Sequence, residues 1–141
     1  MCNFQDANDK VVIFSALKTT GGEVTGDLTF DRTEVNIGSA MNVENGEFKA
    51  PFSGTYSFVF SALTANKVKQ LSIYIRKNGN TINYIYNQMD VESETRYDNI
   101  SRQWILNLSK GDIINLRLTH GKLYTSNIPV IFSGHLLHLN E

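Results

Sequence analysis

Thr55-Tyr56-Ser57-Phe58-Val59-Phe60-Ser61-Ala62 decides the fold. Tyr56, Phe58, Phe60 and Ala62 fall at alternate positions, with Thr55, Ser57, Val59 and Ser61 between them. A period of two belongs to an extended strand with one buried face, because successive side chains of a strand point to opposite sides. The pattern continues in both directions. Leu71–Ile75 and Ile82–Tyr86 flank Asn78-Gly79, a pair that tolerates positive φ at both central positions of a two-residue type I′ hairpin. Asn45-Gly46 predicts a second tight turn, between Ile37–Val43 and Phe48. Ile100, Trp104, Leu106 and Leu108 share one side of a run, and Ile114, Leu116 and Leu118 one side of the next. Lys110-Gly111-Asp112 turns the chain between these two runs, which are predicted to pair. Val11–Phe14, Val130–Phe132 and Leu136-Leu137 are apolar on both faces. Such strands are covered by a second sheet on one side and by another body, here a neighbouring subunit, on the other.

A chain of 141 residues suffices for one domain, expected over residues 11–141 after an N-terminal segment 1–10. It contains no long stretch of helical period, no low-complexity tract and no fixed repeat. About ten short strands, regularly spaced, predict an all-β fold of two antiparallel sheets packed as a sandwich. With 13 basic and 14 acidic side chains the formal charge is −1, so no excess of one sign draws the chain to nucleic acid. No apolar run is long enough for a spanning helix, and membrane insertion is not expected. Cys2 is the one cysteine, which leaves it only a partner on another chain. Asp6, Asp9 and Lys10 interrupt any secretory leader, which fits either a cytosolic protein or a mature form whose signal was removed.

Taken in order, these segments resemble the globular C1q domain family. Ile13-Phe14-Ser15-Ala16 is similar to that family's early "AFSA" strand, and Leu28-Thr-Phe30-Asp31 and Val35-Asn36-Ile-Gly38 follow. Gly46-Glu-Phe48-Lys-Ala50-Pro51-Phe52-Ser-Gly54-Thr-Tyr56-Ser-Phe58 matches its "G-x-F-x-A-P-x-x-G-x-Y-x-F" at every fixed position. Lys77-Asn78-Gly79, the stretch from Leu106 through Gly111-Asp112 to Leu116, and Phe132-Ser-Gly134 with Leu136-Leu137 complete the match. The resemblance implies a ten-stranded jelly roll and trimers packed around a threefold axis by apolar strand faces. Physical reasons stand beside it. Pro51 removes a donor and Gly54 permits positive φ, so the pair is expected to form a corner leading into the aromatic strand. Phe14, Phe48, Tyr56, Phe58 and Phe60 are expected core, with Leu106, Leu116 and Phe132. Gly134 leaves room for a large aromatic or a close backbone.

Motifs of catalysis are missing: no G-x-S-x-G elbow, H-E-x-x-H pair or phosphate-binding glycine loop occurs, and the chain is not expected to be an enzyme. His135 and His138 are an odd number apart, which on a regular strand sends them to opposite faces, and His120 sits in a turn beside Gly121. Asp90, Glu92, Glu94 and Asp98 alternate like the first ligands of a calcium loop, but Thr95 and Ser101 stand where an EF-hand needs glycine and glutamate. Relatives bind calcium through aspartates around a strand that here reads Lys67-Val-Lys69-Gln70, which is basic. No cofactor is called for, and calcium is not supported by these residues. Lys110-Gly111-Asp112 looks like an integrin tripeptide, although turn chemistry explains it. Asn99-Ile-Ser101 and Asn107-Leu-Ser109 are N-glycosylation acceptor patterns. Arg96 and Tyr97, with Lys122 and Tyr124, combine cationic donors and aromatic plates suited to a sugar or a carboxylate. The expectation is a secreted, trimeric recognition protein that binds carbohydrate or microbial surface ligands in innate immunity. The alternative is a trimeric signalling or synapse-organising ligand, similar to cerebellins and adipokines, that binds a protein receptor.

Overall fold

A computed structural model describes residues 10–22, 24–65, 68–88 and 97–140. In chain order the first six strands are β1 (Ile13–Lys18), β2 (Gly26–Asp27), β3 (Arg32–Ile37), β4 (Met41–Asn42), β5 (Glu47–Lys49) and β6 (Gly54–Thr64). The other six are β7 (Gln70–Lys77), β8 (Asn80–Gln88), β9 (Asn99–Leu108), β10 (Ile113–His120), β11 (Leu123–Tyr124) and β12 (Val130–Leu139). The aromatic alternation is the middle of β6, a strand of 11 residues. In the first sheet β6 lies between β9 and β12, and β1 and β3 extend that sheet beyond β12, while β11 pairs with the far end of β6. The second sheet runs β4, β5, β10, β7, β8, with β2 against β10. Every pairing is antiparallel, and the jelly roll is present. Among the described residues there are twelve strands against about ten expected, the two-residue pairings β2, β4 and β11 included.

The two sheets close on a single aromatic core. Phe14, Phe48, Tyr56, Phe58, Phe60, Leu116 and Phe132 are all at most 1% exposed, and Leu106 is half-buried at the core's margin. The rings of Phe48 and Phe58 meet edge to face at 5.1 Å, and Phe58 stacks on Phe132 at 5.8 Å. Each such pair contributes about 0.5–1.5 kcal/mol beyond its buried area. Inward-facing residues form a row across four strands, Phe14, Gly134, Phe58 and Trp104. Gly134 is required there: a Cβ would stand 2.7 Å from Phe14 Cε1 and 2.8 Å from Phe58 Cδ1. Asn78 (φ 52°) and Gly79 (φ 83°) close the expected hairpin between β7 and β8. Gly46 (φ 74°) closes the turn from β4 to β5.

Three local expectations are corrected. The runs 100–108 and 113–119 do not pair: β9 is laddered on β6, and β10 lies between β5 and β7 in the opposite sheet. Backbone bonds from Gly111 N to Ala50 O and from Ala50 N to Asp112 O, at 2.8 and 2.9 Å, carry the turn across the sandwich. The apolar sides of β9 and β10 therefore face each other through the core rather than lying side by side. Gly54 does not take a positive φ; it is the first residue of β6, and a side chain there would collide with the carbonyl of His138. His135 and His138 do not point to opposite faces. The register of β12 slips between Leu136 and His138, so His135 lies opposite Ser57 and His138 opposite Thr55. Ser57 and Thr55 share the outer face of β6, and the bulge puts both histidines on it.

Candidate functional site

At one end of the sandwich a cleft of about 270 Å³ is lined by Leu63, Tyr97, Tyr124, Asn127 and Ile128. Backbone contacts fix its floor. Leu123 N donates to Gly22 O at 2.7 Å, and Gly22 has no room for a side chain because a Cβ would sit 2.8 Å from Thr125 Cγ2. Ala65 N donates to Lys122 O at 2.9 Å, and β11 pairs with Leu63 and Thr64 of β6. Held in this way, Tyr124 meets Tyr97 edge to face, with ring centroids 5.1 Å apart and planes at 64°. Asn127 Nδ2 donates to Tyr124 Oη at 3.1 Å, which orients the phenol. Two aromatic faces and an amide offer stacking for the apolar side of a sugar ring and hydrogen bonds for its hydroxyls.

The structure thus brings Tyr97 and Tyr124 together. Lys122 is exposed just before β11 and does not line the cleft, and Arg96 lies outside the described residues. Leu63, Asn127 and Ile128 join the cleft without any motif in the sequence that marks them. The alternation of β6 places Leu63 on the outer face, and an apolar Ile128 beside Pro129 is the sequence signal for the loop, where the structure leaves it exposed. Of the four acidic residues Asp90, Glu92, Glu94 and Asp98 only Asp98 is described; its Oδ2 accepts from Asn87 Nδ2 at 3.1 Å and its N donates to Thr64 Oγ1 at 3.0 Å. Asp90, Glu92, Glu94 and Thr95 are outside the described residues, as are Lys67 and the whole segment 1–9 with Cys2. Among the described residues no three His, Cys, Asp or Glu side chains gather to hold a metal ion.

At the other end Lys110-Gly111-Asp112 is a structural joint. Asp112 Oδ1 accepts from Asn78 Nδ2 at 3.0 Å, and its Oδ2 accepts from Ser109 N at 2.8 Å and lies 3.7 Å from Lys77 Nζ. The hydrogen bonds from Asn78 and Ser109 hold this carboxyl below the ordinary aspartate range. Lys110 N donates to Ser53 Oγ at 2.9 Å. The carboxylate that an integrin would require is committed within the fold.

The outer face of the first sheet differs in character from both ends. Strand register lays Ile37, Ile13, His135, Ser57 and Ile105 in one row, and Val35, Ser15, Ser133, Val59 and Gln103 in the next. Neither row contains an ionised Lys, Arg, Asp or Glu, in a chain where such residues make up 19%. Ile13, Val35, Ile37 and Ile105 are 37–60% exposed there, and Leu137 projects from the bulge of the same sheet. Ser57 is covered by Gln103, whose Nε2 donates to its Oγ at 2.8 Å.

Residues 13–137 match the family model of the C1q domain. The chain belongs to the C1q domain family. Complement C1q tumor necrosis factor-related protein 3 of Mus musculus is 32% identical over 129 residues, covering 91% of this chain and 51% of that protein. This C1q domain therefore spans about half the length of that relative. The fold is shared with the globular domain of zebrafish complement 1qA (TM-score 0.69, 21% identity, covering 92% of this chain and 99% of that one). It is shared equally with murine APRIL (TM-score 0.72, 14% identity, covering 91% and 100%).

Proposed function

We propose that this C1q domain is a secreted, non-enzymatic recognition module that assembles as a homotrimer and binds carbohydrate or other microbial surface ligands in innate immunity. The observation that carries the reading is the cleft in which Tyr97 and Tyr124 meet beside Asn127. Self-association rests on the two uncharged rows of the first sheet: depletion of charge with exposed aliphatic side chains marks the centre of a protein interface. Three identical clefts on one body turn weak sugar contacts into useful avidity by raising effective concentration. Secretion accords with two exposed acceptor asparagines, Asn99 and Asn107. The test is titration of neutral oligosaccharides against the wild type and Tyr124→Ala, with thermal unfolding as a control for the fold. Binding that is blocked by free sugar and lost in the variant is expected. Binding of equal strength in Tyr124→Ala, or none to any glycan, overturns the reading.

A second reading has its own support, since the relative at 32% identity is a C1q tumor necrosis factor-related protein. In it the trimer is a signalling ligand for a protein receptor. Saturable binding to cells stripped of surface glycans distinguishes it from the first.

A further inference from the structure

We propose that the outer face of the second sheet is a separate site for an anionic saccharide, one bearing carboxylate or sulfate groups. The proposal rests on the carbohydrate-binding, trimeric reading above and names a ligand class and a surface for it. With the first sheet's outer face turned toward neighbouring copies, the second sheet is the broad face that each subunit directs outward. Strand register lays Asp27, Arg117, Tyr74 and Tyr84 side by side across β2, β10, β7 and β8. The adjacent rows add Arg76 and Tyr86, opposite Asn115 and Ser72.

Charge and geometry select an anion. Asp27 Oδ1 accepts from both Arg117 Nη1, at 2.9 Å, and Arg76 Nη1, at 3.2 Å, so one carboxylate faces two guanidinium groups. Arg76 is further occupied by Gly79 O, which accepts from Nε at 3.2 Å and Nη2 at 2.7 Å. Among the described residues Asp27 is the one side-chain partner of Arg117, whose side chain is 46% exposed. Its remaining fork is free for a planar or tetrahedral oxyanion, the geometry a guanidinium matches with paired hydrogen bonds. Glu47 lies with Asp27 and Arg76 around a neighbouring cleft of about 390 Å³, which confines an anion to the tyrosine side of Arg117.

The tyrosines select a ring to carry that anion. Tyr74 and Tyr84 meet edge to face at 6.1 Å, and Tyr84 and Tyr86 are 54% and 51% exposed on the edge strand β8. Exposed phenol rings on the sheet surface present apolar plates with polar rims, which suit a pyranose stacked on them with its acidic substituent over Arg117. An acidic peptide would need pockets for alternate side chains, and the cleft beside Arg76 is rimmed by Asp27 and Glu47, which repel acidic ones.

The experiment is calorimetric titration of the whole chain with a sulfated uronate hexasaccharide, using neutral dextran oligomers and a glutamate-rich peptide as comparisons. Binding that weakens with added salt is expected, because it depends on an exposed ion pair. Arg117→Gln should weaken it about tenfold or more, the scale of one charged hydrogen-bonded contact. The double change Tyr84→Ala with Tyr86→Ala should weaken it comparably. Unaltered melting temperatures establish that the variants are folded. Equal affinity in Arg117→Gln, or peptide binding as strong as saccharide binding, overturns the proposal. Neutral sugar bound at the Tyr124 cleft without any response to the acidic one also overturns it, and leaves the broader reading standing.

Discussion

Phe58→Ala tests the core directly. Phe58 is wholly buried, and its ring lies 5.1 Å from Phe48, 5.8 Å from Phe132, 6.2 Å from Phe14 and 6.3 Å from Tyr56. Removing a buried phenylalanine ring costs about 3–5 kcal/mol, with the upper end applying where the surroundings cannot collapse into the gap. Here they cannot. On one flank of Phe58 the row continues with Gly134, which has no side chain to move in, and on the other with Trp104, already packed at 4% exposure. Four aromatic pairings are lost together. For a domain of this size the cost corresponds to a fall in melting temperature of about 10–20 °C. Near-ultraviolet circular dichroism during heating, at fixed protein concentration because association also stabilises, measures it. A melting temperature lowered by less than about 3 °C would refute the assignment of Phe58 to the centre of the core.

Gly134→Ala should destabilise by about 1–3 kcal/mol through overpacking, since the new methyl group meets Phe14, Phe58 and the Ser57 carbonyl; denaturant unfolding reads the loss. Tyr56→Phe removes the hydroxyl that donates to Phe52 O at 2.7 Å and accepts from Phe52 N at 3.3 Å, and chemical denaturation should show a loss of about 1–2 kcal/mol. The Asp112 carboxyl is held below its ordinary value of 3.8 in the folded chain, so its contribution is complete above that value and disappears as pH falls through the lowered folded value. Acid titration of the melting temperature should therefore show a steeper fall in the wild type than in Asp112→Asn, and parallel curves would refute the role given to the joint.

Much of the fold was legible because the deciding signals are local. Alternation from Tyr56 to Phe60 needs only neighbouring residues, and Asn78-Gly79 forms its turn through its own allowed φ values. What failed depended on distant partners. Nothing between Leu108 and Ile113 reveals that Ala50 and Ser53 will seize the turn and send β10 to the other sheet. The slip in β12 that unites His135 and His138 on one face is likewise set by its pairing with β6. At the cleft, Tyr97 and Tyr124 were visible as aromatic residues in turn-rich segments, whereas Leu63 and Asn127 join them only through the approach of β11 to β6.

Avidity at the clefts and the outward presentation of Arg117 both require three copies joined through the two uncharged rows of the first sheet. Light scattering coupled to size exclusion at micromolar protein measures this without any ligand. A mass of about 48 kDa, three chains of 15.9 kDa, is expected for the wild type, and a single-chain mass for a folded Ile105→Arg variant. A wild-type mass of 15.9 kDa would contradict it.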